Sequence, residues 1–259
     1  MCKLLNISRS NYYTYQEKQK TKDPMTDAVC RIFRDNKKAY GTRRIKAALK
    51  NENKQVSRRR IARIMAEEGL ISVYTVAQYK VHKTRPNDSS VGNELDRDFD
   101  NKLKLEAIVS DLTYVRVNNR WNYICTIIDL YNREIIGYSV GRNKNAQLVK
   151  RAFSNIKNRL DHIKLFHTDR GREFINKELD RLLIEFDIKR SLSEKGTPYD
   201  NAVAEANFKS IKFEFVYQNR FDTLEQLNQE FGAHVWWYNN ERLHSSLGYM
   251  SPVNYEKKV

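Results

Sequence analysis

The chain has 259 residues, room for one large domain or two ordinary ones with real cores. At 40% hydrophobic and 31% charged residues, with nine Gly and four Pro, it is neither collagen-like nor low-complexity nor wholly disordered. No apolar run approaches the length of a membrane span, and the first residues hold none long enough for a signal peptide. Cys2, Cys30 and Cys125 form neither a disulfide framework nor a CxxC zinc pair, which fits a reducing, cytosolic setting. The net charge of +15 is unevenly placed: residues 1–87 carry 21 Lys/Arg against 7 Asp/Glu, and residues 88–259 carry 26 against 25. A polyanion-binding part joined to a nearly neutral part is the expected organisation.

In the basic third, Thr26 is expected to cap a helix with Val29, Ile32 and Phe33 on one face, closing near Tyr40-Gly41. Thr42 starts a second helix carrying Ile45, Ala48 and Leu49, and Ser57 starts a third with Ile61, Ile64 and Met65 inward and a stop at Gly69. Short helices joined by short turns predict an all-α, helix-turn-helix-like region over 1–82. Arg58, Arg59, Arg60 and Arg63 fall largely off the apolar stripe of the third helix. Arg58, Arg59 and Arg63 are the candidate DNA contacts there, and the competing reading is a solvated basic face.

Residues 83–102 are polar and aperiodic and read as a linker, with some order at its end. Alternation then predicts strands at 107–117, 121–129 and 134–140, a helix at 146–160, a strand at 163–167, a helix at 176–186, a strand at 188–192, and helices at about 200–216 and 222–240. The order β-β-β-α-β-α-β-α over 103–259 predicts a ribonuclease-H-like α/β domain. Trp236, Trp237 and Tyr238 at the end of the last helix read as a hydrophobic seam in preference to a base-stacking surface.

Three carboxylates occupy places that need explaining. Asp111 interrupts the middle of an apolar strand, Asp169 follows a strand end just before Gly171, and Glu205 lies in the helix that begins near Asp200. A parallel sheet brings strand ends together, and a helix across them can add the third group. Three converging carboxylates repel unless cations lie among them, and such hard oxygen ligands suit Mg²⁺ or Mn²⁺. Two ions of this kind can clamp a phosphodiester, which matches the basic front end. Asn201, Glu205, Lys209 and Lys212 share one helix face, so the lysines would lie beside the acid as DNA contacts. Asp200 is expected to be a helix cap and is the reserve third ligand; Asp129 is expected to be structural.

Ser110-Asp111-Leu112-Thr113-Tyr114, His167-Thr168-Asp169-Arg170-Gly171 and Asp200-Asn201-Ala202-Val203-Ala204-Glu205 through Lys212-Phe213-Glu214 resemble the core of DDE transposases and retroviral integrases. Tyr40-Gly41-Thr42-Arg43-Arg44-Ile45 and the stretch from Tyr238-Asn239-Asn240 to Met250-Ser251-Pro252 extend the likeness to the OrfB part of IS-three family insertion-sequence transposases. Leu243 stands where that family usually has Pro and Ala206 where it often has Ser; neither touches the acidic residues. The resemblance implies a metal-binding catalytic triad of Asp111, Asp169 and Glu205, with Lys212 on DNA near the cleaved end. His167 would either support the site or simply pack in its strand. The activity implied is cleavage of element ends by water and strand transfer by the 3′-hydroxyl, in the bacterial cytosol. The implied partners are double-stranded DNA, an upstream-frame OrfA product or fusion, and further copies of the chain on paired ends. The start, Leu4-Leu5-Asn6-Ile7-Ser8, resembles a segment already under way, so the chain reads either as the second half of such a fusion or as a complete transposase. The rivals are a nuclease of the same fold that never joins strands and a DNA-binding remnant without catalysis.

Overall fold

In the basic third, apolar residues at helical spacing build a three-helix core. The helices are α1 (Thr26–Asp35), α2 (Thr42–Asn51) and α3 (Arg58–Glu67), and Val29, Ile32, Phe33, Ile45, Leu49, Ile61 and Ile64 are almost completely enclosed among them. The computed structural model describes residues 4, 7–13, 22–75, 91–99, 102–156, 160–194 and 198–258. Residues 76–90, and with them the first eight residues of the expected linker, lie outside these, as do Gly196-Thr197. Chain contacts divide the molecule into two compact units, Met1–Val76 and Ala77–Val259.

Helix α3 starts as expected: the Ser57 hydroxyl accepts from the Arg60 N–H. At α1 the expected cap is corrected. Met25 is the N-cap, Thr26 is buried inside the first turn, and Asp23 organises the start by accepting the Met25 N–H on its carboxylate and the Thr26 N–H on its carbonyl.

The second unit is a five-stranded sheet in the order β3-β2-β1-β4-β5, with helices on both faces. Strands β1 (Ala107–Val117), β2 (Arg120–Asp129) and β3 (Ile135–Gly141) form an antiparallel meander. Strands β4 (Leu165–Thr168) and β5 (Lys189–Leu192) add on in parallel through helical crossovers. Helix α4 (Ala146–Ser154) and helix α5 (Lys177–Glu185) cover one face, packing Leu148, Phe153, Leu179 and Leu183 over Ile108, Cys125, Ile127 and Phe166. Helices α6 (Ala202–Glu214) and α7 (Leu224–Asn240) cover the other, with Phe208, Ile211, Leu227 and Phe231 over Val109, Val115, Ile124 and Ile128. A last helix, α8 (Pro252–Lys258), closes the unit. The element order is the ribonuclease-H-like order read from the sequence.

Two local readings change. Helix α4 ends at Ser154, not near 160, where Asn155 caps it and donates its side-chain amide to the Tyr138 carbonyl on β3. Residues 91–99, within the stretch read as linker, are built into the second unit. Leu95 is buried in the α6/α7 core, the Ser191 hydroxyl accepts from the Glu94 and Leu95 N–H groups, and the Leu192 N–H donates to the Gly92 carbonyl. Gly137 is needed where β3 meets α4, since a Cβ there would lie 2.5 Å from the Ala152 carbonyl oxygen.

Candidate active site

The site begins with a register. Parallel pairing of β1 and β4 aligns Ala107 with Leu165 and Val109 with His167, and the same register two residues on sets Asp111 beside Asp169. Each carboxylate is anchored by its own backbone. Asp111 Oδ1 accepts from the Leu112 N–H at 2.7 Å, and Asp169 Oδ1 accepts from the Gly171 N–H at 2.9 Å. Burial first, and then the neighbouring Asp169 carboxylate, push the Asp111 carboxyl well above the ordinary range, while Lys144 and Lys212 pull it back. The two acids thus form an electrostatic unit with two cations in its field.

One cation was not foreseen. Lys144, in the turn between β3 and α4, is held by a 2.8 Å ion pair to Glu173, whose side chain is buried beside Gly171. Glu173, Asp169 and Asp111 together raise the Lys144 ammonium against the opposing effect of burial, so it stays charged at neutral pH. The other, Lys212, is half-buried in the last turn of α6, with its ammonium 5.2 Å from the centre of the Tyr114 ring. Lys209, one turn earlier, is exposed.

Glu205 does not join the pair in this structure. It lies in the first turn of α6, solvent-exposed, and only partial desolvation raises its carboxyl; neither aspartate contributes. Among the described residues no three His, Cys, Asp or Glu side chains are gathered about one point. Without a cation among them, a third carboxylate is better solvated by water than placed next to two others, and Glu205 keeps its charge exposed. Asp200 is no substitute ligand and no helix cap. It is buried, accepts from the Glu194 N–H at 2.9 Å and from the Arg97 guanidinium at 2.7 Å, and so ties residue 97 to the start of α6.

His167 is wholly buried between the Ser191 and Ser193 hydroxyls, 2.8 and 3.1 Å away, and burial pushes it down to about 4. It is a neutral histidine that fastens β4 to β5. Asp129 accepts the Leu105 and Tyr131 N–H groups and is structural. Trp237 and Tyr238 belong to the apolar seam, whereas Trp236 is 60% exposed. In the first unit Arg60 and Arg63 both bind Asp23, whose carboxyl they hold far below the usual range, and Arg63 also faces Glu67. Arg58 and Arg59 are exposed at the start of α3.

Residues 103–198 match the family model described as integrase core domain, residues 186–252 match a second model of that description, and residues 21–78 match an HTH-like domain. The chain is 29% identical over 260 residues to the InsK transposase of insertion sequence IS150 from Escherichia coli K12, which covers 98% of this chain and 91% of the relative. It is 26% identical over 272 residues to InsF of IS3A from the same organism, covering 100% of this chain and 93% of the relative. The transposase of IS904 from Lactococcus lactis is also 26% identical, over 245 residues, or 93% of this chain and 96% of the relative.

The chain belongs to the insertion-sequence transposases with an integrase core. Its fold is shared with a chain in the cryo-EM structure of the simian T-cell lymphotropic virus intasome with the PP2A regulatory subunit B56 gamma. That likeness has a TM-score of 0.50 and 11% identity, and spans 81% of this chain and 69% of the other. The transposase carries its acidic pair where the meander meets the parallel half of the sheet, Asp111 in the middle of β1 and Asp169 just past the carboxyl end of β4. The donor set also fits a hard divalent cation, since a positive charge between Asp111 and Asp169 relieves the repulsion that lifts the Asp111 carboxyl. Lys144 and Glu173 had no sequence signal of their own, because a lone lysine in a turn and a glutamate after Arg-Gly-Arg read as surface charges.

Proposed function

We propose that the transposase cleaves the ends of its element and joins them to target DNA at the Asp111–Asp169 pair, with Glu205 as the third ligand from α6. The observation that carries this reading is the β1–β4 register, which sets two carboxylates far apart in sequence side by side, one in the middle of β1 and one just past the end of β4. Asp111, Asp169 and Glu205 would hold magnesium or manganese there, as two ions, and the metal would supply Lewis acidity toward the scissile phosphate and a water.

The chain's own groups do the rest. Asp111 and Asp169 present carboxylate oxygens on rigid strands, and their backbone hydrogen bonds fix the rotamers. Glu205 stands on the first turn of α6, with its carboxylate exposed. Lys212 and Lys209 lie on the same helix as cations for the phosphates flanking the scissile bond. Lys144, kept charged by Glu173, offsets negative charge gathering around the pair. Arg58 and Arg59 at the start of α3 would contact duplex DNA, and so would Arg63 in mid-helix once released from Asp23. The basic helical unit over 1–82, a connecting stretch and the core over 103–259 divide recognition from chemistry. Pairing of two ends calls for more than one copy of the chain, and cooperation with an upstream-frame OrfA product in the bacterial cytosol completes the reading. No helix among the described residues is long and apolar enough to cross a membrane.

The test is a strand-transfer assay with the DNA ends that flank the reading frame, in Mg²⁺. Joined products support transposition. Cleaved ends that never join would leave a nuclease of the same fold, and no cleavage together with no metal bound at the triad would leave a DNA-binding remnant.

A further inference from the structure

The β1–β2 hairpin carries a strip of rings and cations that neither the core nor the acidic pair uses. Residues 112–123 contain two arginines, three rings in Tyr114, Trp121 and Tyr123, and no acidic residue. The register pairs Arg116 with Trp121 and Tyr114 with Tyr123, so all four side chains share one face of the hairpin. Trp121 is 52% exposed and Tyr114 40%, although both are large enough to be costly in water. Their rings meet edge to face at 5.1 Å and 88°, an arrangement that holds each ring at a fixed angle. The Arg116 guanidinium lies 4.9 Å from the centre of the Trp121 ring, and the Lys212 ammonium lies 5.2 Å from the centre of the Tyr114 ring. The strip is therefore a preset pair of aromatic surfaces flanked at each end by a cation. It begins three residues along β1 from Asp111, about 10 Å at strand rise.

Exposed rings of this kind serve either a protein partner or nucleic-acid bases. Charge decides between them here. A hairpin with cations at both ends and no carboxylate complements a phosphodiester chain, and Lys212, which stands against the Tyr114 ring and in the field of Asp111, links the strip to the acidic pair. Bases inside a duplex are already stacked on one another, so rings can receive only bases that have come out of the helix.

We propose that Tyr114 and Trp121 form a stacking platform for unpaired bases of the DNA strand that enters the Asp111–Asp169 site, with Arg116 and Lys212 on the adjoining phosphates. The proposal rests on the transposase reading of that site and adds a requirement for locally opened DNA. A base seated on Trp121 holds the strand on the approach to the carboxylates, so the platform sets the register of the strand and takes no part in the chemistry.

The test uses the full chain and a fluorescently labelled mixed-sequence oligonucleotide, either single-stranded or annealed to its complement, with binding read by anisotropy at low salt. Trp121→Ala and Tyr114→Ala are each expected to weaken single-strand binding roughly tenfold, the size of one lost base stack, and to change duplex binding by less than about twofold. Trp121→Phe should recover most of the loss, and far-ultraviolet circular dichroism should match the parent for every variant. A 2-aminopurine in the single strand should be quenched by the parent and not by Trp121→Ala. Equal loss on both DNA forms, or no loss on either, overturns the platform. Unchanged DNA binding with a smaller mass in sedimentation would assign the strip to contact between copies and overturn it as well. None of these readings needs cleavage, whereas the transposase reading stands or falls on joined products, so either can fail without the other.

Discussion

Asp111 and Asp129 show how one residue type takes two roles through its surroundings. Both lie in strands and both are lifted first by burial, yet the neighbouring carboxylate counts next for Asp111, whereas at Asp129 two backbone donors outweigh Glu134. Asp111→Asn and Asp169→Asn keep size and packing while removing an anionic ligand, and Glu205→Gln does the same on α6. Each is expected to abolish cleavage in Mg²⁺, with DNA affinity within about twofold of the parent because the cations are untouched. Near-normal cleavage by any one of the three in a gel assay would remove that residue from the triad. Asp129 is instead satisfied by two backbone donors and pushed up to about 6 by burial, above its ordinary 3.8. The folded state therefore keeps a proton that the unfolded chain releases, so this contribution is full below about pH 4 and is lost as pH rises through about 6. Asp129→Asn should flatten that part of the stability profile in urea unfolding between pH 4 and 7. It should also cost about 1–3 kcal/mol throughout, because its amide cannot accept both N–H groups. A profile as steep as the parent's would place the titration elsewhere.

At the scale of elements, the helix that carries Glu205, Lys209 and Lys212 is fixed from its far end. Glu214, in the last turn of α6, is fully buried and takes a two-pronged ion pair from Arg242, with contacts of 2.7 and 2.8 Å. Arg242 also donates to Ser210 and lies against His244 and the Tyr238 ring, so the stretch after α7 clamps α6. Removing one partner leaves a buried charge alone, so Arg242→Met or Glu214→Gln should cost about 3–5 kcal/mol in urea unfolding. The double variant should recover much of that loss, as a double-mutant cycle would show. Additive losses would mean that the pair does not act as a unit. The sequence displays the two segments as separate motifs and says nothing of their contact, since a pairing across 28 positions leaves no periodic trace. Strand β1, by contrast, was legible to its ends, because alternating burial and the Asn118-Asn119 turn bound it locally. The end of α4 was not, because what stops it is a side-chain bond to β3. The same difference runs through the site. Asp111 and Asp169 could be read as neighbours from strand order, whereas the distance kept by Glu205 and the Lys144–Glu173 pair depends on forces between side chains that spacing does not encode.

For the whole molecule, the uneven charge noticed first is also the most exposed to test. The first 87 residues hold nearly all of the positive excess, while the unit with the acidic pair is close to neutral. Each phosphate neutralised on duplex DNA releases counterions and contributes about −0.9 to the slope of log affinity against log salt. Not every arginine on α3 should contribute equally. Arg60 and Arg63 are already held by Asp23, and a cation paired with a carboxylate must be freed before it can serve a phosphate. Arg58 and Arg59 are exposed at the end of the helix where the N–H groups point outward. Replacing both by Ala in the full chain should therefore weaken duplex binding and flatten the slope by up to about 1.8, whereas Arg63→Ala should change it by less than one contact. Removing the same number of charges from Lys257 and Lys258, exposed on α8 of the other unit, controls for net charge alone. If both double variants flatten the slope equally, binding follows total charge and the helical unit has no special place in it. If only the α3 variant does, the charge asymmetry in the sequence is a map of where the duplex lies.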